Sequence, residues 1–362
     1  MPRAAIVFAS VTLLAPPLLA AAALWGGAWV LLAAAYLSLF AFLADELIHV
    51  ALPATPNAGE FPAAPWLSAA LGLAHLALLP LGLAAIAGAT GHGPLEMAGT
   101  ALAFGLFFGQ VSMANAHELV HRPARHLRAL GVLLYTTLLF GHHASAHRLV
   151  HHVHAATPRD PNTARLGESY YAFAVRAWIG SFRAGLAAER RRRGGVPWWR
   201  TPYAFYLGCG AACLGFAFAA GGWPMLGALV ALAFYAQAQL LMSDYVQHYG
   251  LERALRPDGS REPMGLAHSW NARHWFTAAM TLNAPRHSDH HVNPARAFPA
   301  LELPAPNVAP RLPRSLPAMA TLALVPSLWR RSMDARALRW RHDLQAVPEP
   351  LPAGGAPAAT GG

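Results

Sequence analysis

The stretch MAGTALAFGLFFGQVSMANAHELVH, residues 97–121, joins an apolar segment directly to a pair of histidines. Residues 97–115 carry no charged side chain and approach the roughly 20 apolar residues that a bilayer-spanning helix needs. His117 and His121 follow four residues apart, so a helix that continues out of the span presents both imidazoles on one side. The stretch therefore predicts a membrane helix that ends in two candidate metal ligands.

The composition of the chain agrees with a membrane protein. Of its 362 residues, 55% are hydrophobic and only 12% are charged, about half the charged fraction of a typical soluble domain. The two cysteines, Cys209 and Cys213, lie four apart in an apolar stretch and are expected to pack in the core or face lipid. This count disfavours a disulfide framework, a cysteine-ligated metal site and an iron–sulfur cluster.

Apolar segments predict an all-α integral membrane protein with about six transmembrane helices and a His-rich cytoplasmic cap. A second span follows the first without a clean cleavage site, so we expect the first span to be retained rather than removed as a signal peptide. We expect a single domain over 1–345, followed by a disordered tail rich in Pro, Ala and Gly at 346–362. The predicted spans lie near 4–23, 25–44, 66–88, 97–115, 203–221 and 224–243.

The arginines predict the orientation of these spans. All 27 basic residues are arginine: one lies at Arg3, thirteen lie between Arg122 and Arg200, and thirteen follow from Arg253 onward. With the N-terminus in the cytoplasm, six spans leave all three blocks on the cytoplasmic side, as the positive-inside rule requires. This predicts a multi-pass protein of the inner (plasma) membrane. Because the arginines are confined to these three blocks of an apolar chain, the net charge of +10 indicates membrane topology rather than a nucleic-acid partner.

Histidines cluster beside the same membrane boundary. Nineteen are present, nine between His117 and His154 and six between His248 and His291. HELVH, HRLVHH, DYVQHYG and RHSDHH together supply nine imidazoles. Because one metal binds four to six ligands, nine nitrogens predict two metals. In RHSDHH, helical spacing would point all three imidazoles from one face. The nine are His117, His121, His147, His151, His152, His248, His287, His290 and His291.

Other functions fit part of this pattern. HELVH matches the signature of zinc proteases, in which Glu118 would act as the general base. A protease leaves the other seven histidines unexplained. A metal-binding or transport protein without catalytic activity is a further alternative, although a transporter would place its ligands near the bilayer midplane rather than at its edge.

Five motifs within residues 114–298 resemble the membrane-bound alkane monooxygenases, a non-haem di-iron family related to the membrane fatty-acid desaturases. They are NAHELVHR, HRLVHHVHAATPRDPNTARLGE, DYVQHYGLER, HSWNARH and RHSDHHVNPARAF. The HYGL box together with the last motif favours the hydroxylase branch. Two positions depart from the family pattern, Ala146 where Glu is usual and Asp244 where Asn is usual. These departures bear on the substrate rather than on the metals.

The resemblance implies a set of site residues. The nine histidines named above would bind two iron ions. A carboxylate near the metals would be Glu262, with Asp258 and Glu252 as competitors. His142, His143, His268 and Asp289 would support the ligands, and the predicted catalytic residues are Glu262, Asp289 and His268.

The resemblance also implies a reaction and its partners. An alkane or alkyl chain would enter from the bilayer, and O2 would oxidise its terminal methyl to a primary alcohol. Electrons would come from a rubredoxin or ferredoxin, because the chain has no C-x-x-C pair of its own. Desaturation or hydroxylation of a fatty acid or lipid is an alternative reaction, and oxidation of a ring methyl is another. Tyr36 and Phe40 on the second span are candidates for limiting chain penetration, or simply pack helices.

Overall fold

The computed structural model describes residues 3–48, 50, 51 and 64–346, and this part of the chain folds into helices joined by loops. It contains no strand, only two isolated bridges, Leu255 with Arg261 and Asn271 with Arg311. The prediction of an all-α protein is therefore confirmed. The predicted disordered tail lies outside the described residues except for Ala346, which ends the last helix.

Sixteen α-helices occur in the described residues. They are α1 (Arg3–Leu13), α2 (Ala15–Trp25), α3 (Ala28–Ala35), α4 (Ala41–Leu47), α5 (Ala64–Ile86), α6 (Pro94–Leu106), α7 (Met113–Val120), α8 (Arg125–Thr137), α9 (His143–Ala146), α10 (His152–His154), α11 (Tyr170–Arg192), α12 (Tyr203–His248), α13 (Trp275–Met280), α14 (His287–Val292), α15 (Leu316–Ala323) and α16 (Pro326–Ala346). Wider π-helical turns at Tyr36–Phe40, Phe107–Ser112 and His147–His151 join neighbouring helices, and short 3₁₀ turns lie at Trp198–Arg200, Leu266–His268 and Phe298–Ala300.

Five helical segments of the described chain are long and apolar enough to cross a membrane, where six were predicted. They are Ile6–Trp25, Ala28–Leu47, Ala64–Ile86, Pro94–Val120 and Tyr203–His248. The last has 46 residues and would measure about 69 Å if straight, more than twice the hydrocarbon thickness. Its backbone leaves helical geometry at Gly221 and Gly222.

Both ends of α12 contact the same His-rich segment, which requires the chain to fold back within this helix. Tyr206 lies 2.8 Å from Ser145, and the His248 ring lies 4.8 Å from that of His151. Gly222 has φ 62°, a left-handed conformation that favours glycine because it lacks a Cβ. The two arms match the last two predicted spans, and a total of six membrane passes stays a prediction.

The cap is built from residues that follow the fourth and last spans, and distant segments hold it in place. Asp45, at the end of the second candidate span, accepts hydrogen bonds from the backbone amides of Phe276 and Thr277 at the start of α13. Tyr249 donates a hydrogen bond to Asp334 on α16 (2.6 Å), and Trp340 donates one to the Ala267 carbonyl (3.0 Å). The segment between the last two histidine boxes is thus held by contacts with the second candidate span and with α16.

Candidate metal centre

The first histidine box lies at the end of the helix Pro94–Val120, as predicted. His117 and His121 are one turn apart and their rings are 5.2 Å from centroid to centroid. Glu118 points elsewhere, because the next residue on an α-helix is rotated by about 100°. Its carboxylate pairs with Arg122 at 2.5 Å and accepts a hydrogen bond from the Phe298 amide. Glu118 is therefore engaged in structural contacts on another face of the helix.

The second box contains a π-helical turn, and this turn determines where its imidazoles point. In an α-helix, His152 would be rotated by about 140° from His147, five residues before it. The wider turn over His147–His151 instead places residues five apart over each other. As a result, the Nε2 atoms of His147 and His152 are 2.9 Å apart. His151 turns to a different group of imidazoles.

The last two boxes meet on α14 and at the end of α12. The Nε2 atom of His287 lies 2.9 Å from that of His248 and 3.1 Å from that of His291. His290, on the same short helix, faces the other way and lies 3.1 Å from His152. The histidines of RHSDHH therefore divide between two neighbouring groups rather than meeting at one point.

All nine predicted ligand candidates fall into two groups. Within each group, the candidate ligand nitrogens all lie within 4.8 Å of one another. The two groups are adjacent, since the rings of His152 and His291 are 4.8 Å apart. We call them the five-His group and the four-His group. The first consists of His117, His121, His147, His152 and His290, and the second of His151, His248, His287 and His291.

Burial keeps most of these imidazoles neutral. Removal from water lowers the pKa of His121, His147 and His152 well below the ordinary value, and nearby imidazoles lower it further. The same holds for His287, His290 and His291. A neutral imidazole has a free lone pair, which is the form that binds metals. The groups therefore have the protonation state that a metal site requires.

The contacts between these nitrogens fit a metal ion better than hydrogen bonds alone. The Nε2 atom of His147 lies 3.0 Å from that of His121 and 2.9 Å from that of His152. In a neutral imidazole, each ring nitrogen carries either one hydrogen or one lone pair. His147 Nε2 can therefore form a hydrogen bond with only one of these two neighbours at a time. A cation at the centre of each group would accept all of the lone pairs. The donor set therefore fits a transition metal in either group.

Asp160 is a site residue that sequence reasoning did not select. It follows His151 by nine residues within the quoted motif, and its carboxylate accepts a hydrogen bond from His151 Nδ1 at 2.8 Å. This contact leaves His151 Nε2, which is buried and has no hydrogen-bond partner among the described residues, free for the four-His group. A carboxylate behind a histidine fixes its tautomer and raises its basicity as a ligand.

The electrostatics of this pair are consistent with that role. Burial alone would raise the pKa of the Asp160 carboxyl, but the His151 imidazole and hydrogen bonds from Thr163 and Asn162 lower it to about 2. Burial lowers the pKa of His151, yet Asp160 more than compensates and raises it. The carboxylate is therefore ionised where it contacts the imidazole.

The three predicted catalytic residues lie outside both groups. Glu262 accepts a hydrogen bond from the Ala254 amide and lies 2.9 Å from His268 Nε2, while His268 Nδ1 accepts one from the Gly265 amide. Asp289 pairs with Arg296 at 2.8 Å and accepts hydrogen bonds from neighbouring loop residues. The carboxylates of Glu262 and Asp289 thus contact loop residues beside the histidine boxes.

The other candidates also lie beside the groups rather than within them. Glu252 pairs with Arg341 at 3.1 Å, and Asp258 is exposed and contacts Ser260. His142 packs against Trp178 and Phe182, whereas the His143 ring stacks 5.3 Å from that of His147. Of His142 and His143, it is therefore His143 whose ring stacks on a predicted ligand.

A cavity of ≈ 150 Å³ reaches the metal centre from the side of the spans. Its walls come from the fourth span, the second arm of α12, α13 and α15. Met113, Leu240, Met242 and Leu316 give it a mainly apolar surface. Asp244, one of the two departures from the family pattern, also lines it and accepts a hydrogen bond from Asn162 at 2.7 Å. It is also lined by three predicted ligands, His117, His147 and His287.

Tyr36 and Phe40 do not line this cavity. Their rings stack on each other and pack edge-on against Phe276, and the Tyr36 hydroxyl donates a hydrogen bond to the Val11 carbonyl. Their contacts are those of helix packing, the alternative that the sequence left open.

Comparison with known proteins assigns the family. The model for fatty acid desaturases matches residues 94–323, a region that contains all nine histidines. The chain belongs to the fatty acid desaturase family. Together with five apolar helices, this membership supports a multi-pass membrane protein with a His-rich site that could hold a metal.

This family member is similar to curated monooxygenases. It is 34% identical over 249 residues to alkane 1-monooxygenase 1 of Pseudomonas aeruginosa, an alignment that covers 67% of this chain and 64% of the relative. It is 33% identical over 258 residues to alkane 1-monooxygenase 1 of Alcanivorax borkumensis, with 69% and 62% covered. It is also 31% identical over 244 residues to the xylene/toluene monooxygenase hydroxylase component of Pseudomonas putida, with 65% and 63% covered. The chain thus spans somewhat less than two thirds of the length of these relatives.

Proposed function

We propose that this family member is a membrane monooxygenase that hydroxylates the terminal methyl of an alkane or alkyl chain to a primary alcohol. The observation that carries the proposal is the junction of an apolar cavity with two groups of buried imidazoles. An apolar cavity suits an alkyl chain, and the imidazole groups suit a pair of redox metals.

In this proposal the five-His group and the four-His group hold one iron ion each, and the bound irons supply the activation of O2. The number of imidazoles supports iron over zinc. The five-His group offers five candidate nitrogens, whereas zinc sites in proteins usually hold four ligands and octahedral ions hold six.

The chain itself positions the substrate and excludes water. Met113 and Leu240 line the cavity beside His117, so an alkyl chain that fills the cavity ends next to the metal ligands. A dry, enclosed site protects a reactive oxidant from water. Asp160 holds the tautomer of His151, and we propose that Asp289 and the Glu262–His268 pair keep the ligand-bearing loops in place.

We propose a rubredoxin or ferredoxin as the electron donor of this site. The centre would lie at the cytoplasmic face of the inner membrane, where the arginine blocks of the cap would steer an acidic carrier. If residues 122–200 are cytoplasmic, a reporter fused after Gly362 should be active in the cytoplasm. A reporter that is active only in the periplasm would contradict this orientation.

Two measurements test the function. Elemental analysis of the purified protein should find close to two irons per chain, because two ligand groups are present. Turnover with octane, O2, rubredoxin and its reductase should yield 1-octanol. A chain that contains zinc and no iron, or an iron-loaded chain that yields only an alkene, would overturn the proposal. The xylene/toluene relative makes p-xylene a useful second substrate, since a ring-methyl alcohol would redefine the substrate class.

Glu118→Gln separates this function from a zinc protease. A zincin requires this residue as its base, so the change would abolish protease activity with the metal retained. In the monooxygenase, Glu118 instead pairs with Arg122 behind the ligands. We expect turnover to fall by about 10–100-fold but to stay measurable, as is typical when a residue behind a ligand is changed. Complete loss with full iron content would count against the monooxygenase.

Asp160→Asn tests the carboxylate behind His151. Asparagine keeps the shape but removes the charge that faces His151 Nδ1, so we expect about 10–100-fold weaker iron binding in the four-His group. Iron content after dialysis against a graded chelator series measures the change. Asp258→Asn, at an exposed position, is the matched control and should leave iron binding unaltered. Equal iron retention in both variants would remove Asp160 from the site.

A further inference from the structure

A second cavity, of ≈ 210 Å³, lies on the cap and is surrounded by arginines, and none of the nine candidate metal ligands lines it. Arg128, Arg148, Arg192 and Arg193 line it, together with a single acidic residue, Glu189. Four positive charges and one negative charge leave a net charge of +3 on its walls. We call this cavity the arginine pocket.

The one carboxylate of the pocket is already engaged. Glu189 is 5% exposed, contacts Arg193 and accepts a hydrogen bond from Ser145 at 2.6 Å. Ser145 lies 2.8 Å from the Tyr206 hydroxyl, so these side chains form a connected polar floor. The carboxylate is therefore paired with Arg193 and forms no ion pair with the other three guanidiniums of the pocket.

Two of these guanidiniums are free to bind a ligand. In the part of the chain that the structure describes, Arg148 and Arg192 form neither a hydrogen bond nor an ion pair. Arg128 donates to the carbonyls of Arg122 and Pro123, which are neutral acceptors. Like charges held around one cavity repel each other, and an anion with several oxygens would relieve this repulsion. Guanidiniums bind phosphate oxygens through paired N–H donors, which makes a phosphate group the matching ligand.

The position of the pocket indicates where such a phosphate comes from. Val120 ends the fourth candidate span and Pro202 immediately precedes α12, and both line the pocket. Trp198 and Trp199, 45% and 60% exposed, lie just before Pro202. Exposed tryptophans beside a span are typical of the membrane–water interface, where lipid headgroups lie. A concave site of this size also suits a headgroup better than the broad surface of a protein partner.

We propose that the arginine pocket binds the phosphate of an anionic membrane lipid, with Arg148 and Arg192 as its principal ligands. This site is separate from the metal centre and does not depend on the proposed reaction. Arg148 lies between two predicted iron ligands, His147 and His151, so a bound headgroup would also restrain the second histidine box.

Lipid titration of the purified, full-length, iron-loaded protein in neutral detergent tests the proposal. Phosphatidylglycerol in mixed micelles should bind saturably, and inorganic phosphate should compete only weakly. Arg192→Gln and Arg148→Gln should each weaken phosphatidylglycerol binding by about tenfold or more, as expected for the loss of a charge-assisted contact. Arg191→Gln removes the same charge from an exposed neighbouring position outside the pocket and should bind like the unaltered protein.

Three outcomes would overturn the proposal. Equal weakening by Arg191→Gln and Arg192→Gln would mean a diffuse surface charge without a defined site. Inorganic phosphate that binds as tightly as the lipid would assign the pocket to free phosphate. If Arg192→Gln weakens the binding of an acidic electron carrier and leaves lipid binding unaltered, the pocket docks a protein. Because Arg192 and Arg148 are exposed, their variants are expected to fold, and iron content provides the check.

Discussion

His248→Ala is expected to abolish alkane hydroxylation and to lower the iron content from close to two ions per chain to about one. His248 Nε2 contacts His287 Nε2 at 2.9 Å within the four-His group. Its loss leaves three imidazoles for one ion, while the five-His group keeps all of its members. Because the proposed reaction needs both metals, loss of one should remove activity completely.

Elemental analysis and octane turnover measure these two effects separately. His290→Ala should affect the other group and lower iron content in the same way. His126→Ala, at an exposed position outside both groups, is the matched control and should retain iron and activity. If His248→Ala retains two irons and normal turnover, the assignment of the four-His group fails.

Ala320→Phe is expected to reduce octane turnover by at least about 100-fold without changing iron content. Ala320 lines the apolar cavity, and a cavity of ≈ 150 Å³ holds a ring the size of benzene. A phenylalanine side chain at this position should therefore occupy the space proposed for the substrate. Displacement of a reacting group by even about 1 Å can cost a factor of about 100 in rate.

A control on the same helix separates occlusion from loss of folding. Ala318 has a similar, partly buried environment but does not line the cavity, so Ala318→Phe should retain most of the activity. Both variants should retain iron, because neither residue belongs to an imidazole group. Full octane turnover by Ala320→Phe would show that the substrate does not occupy this cavity.

The two largest effects concern different parts of the same site. The histidine variants test which residues hold the metals, and the Ala320 variant tests where the substrate lies. A protein that loses activity in the first case and keeps it in the second would retain the metal assignment but require another substrate path.

Local sequence was sufficient for the class of fold and for the inventory of candidate ligands. Apolar stretches of about 20 residues predict helices because unpaired backbone groups are too costly in lipid, and this holds whatever packs beside them. The nine imidazoles were also identifiable from the sequence, since each box places its histidines close together along the chain and beside the end of a span.

The division of these imidazoles between two groups was decided by tertiary structure. A helical pattern of four or five residues does not reveal a π-helical turn, yet the turn at His147–His151 directs His152 and His151 to different groups. Likewise, His290 and His291 are adjacent in sequence, but His290 contacts His152 on α10 and His291 contacts His248 on α12. The destination of each ring depends on which neighbouring helix supplies the remaining ligands.

Carboxylates were the least predictable part of the site, because a charged side chain acts through its contacts and not through its place in a motif. Glu262 was expected beside the metals but pairs with His268, whereas Asp160 had no assigned role and contacts His151 directly. The cavity likewise depends on tertiary contacts, because residues as distant in sequence as Met113, Leu240 and Ala320 line one cavity only after the helices pack. The sequence by itself determined the membrane helices and the chemistry of the candidate ligands. Packing decided how these ligands are grouped, which carboxylate supports them and where there is space for a substrate, because these features depend on contacts between residues far apart in the chain.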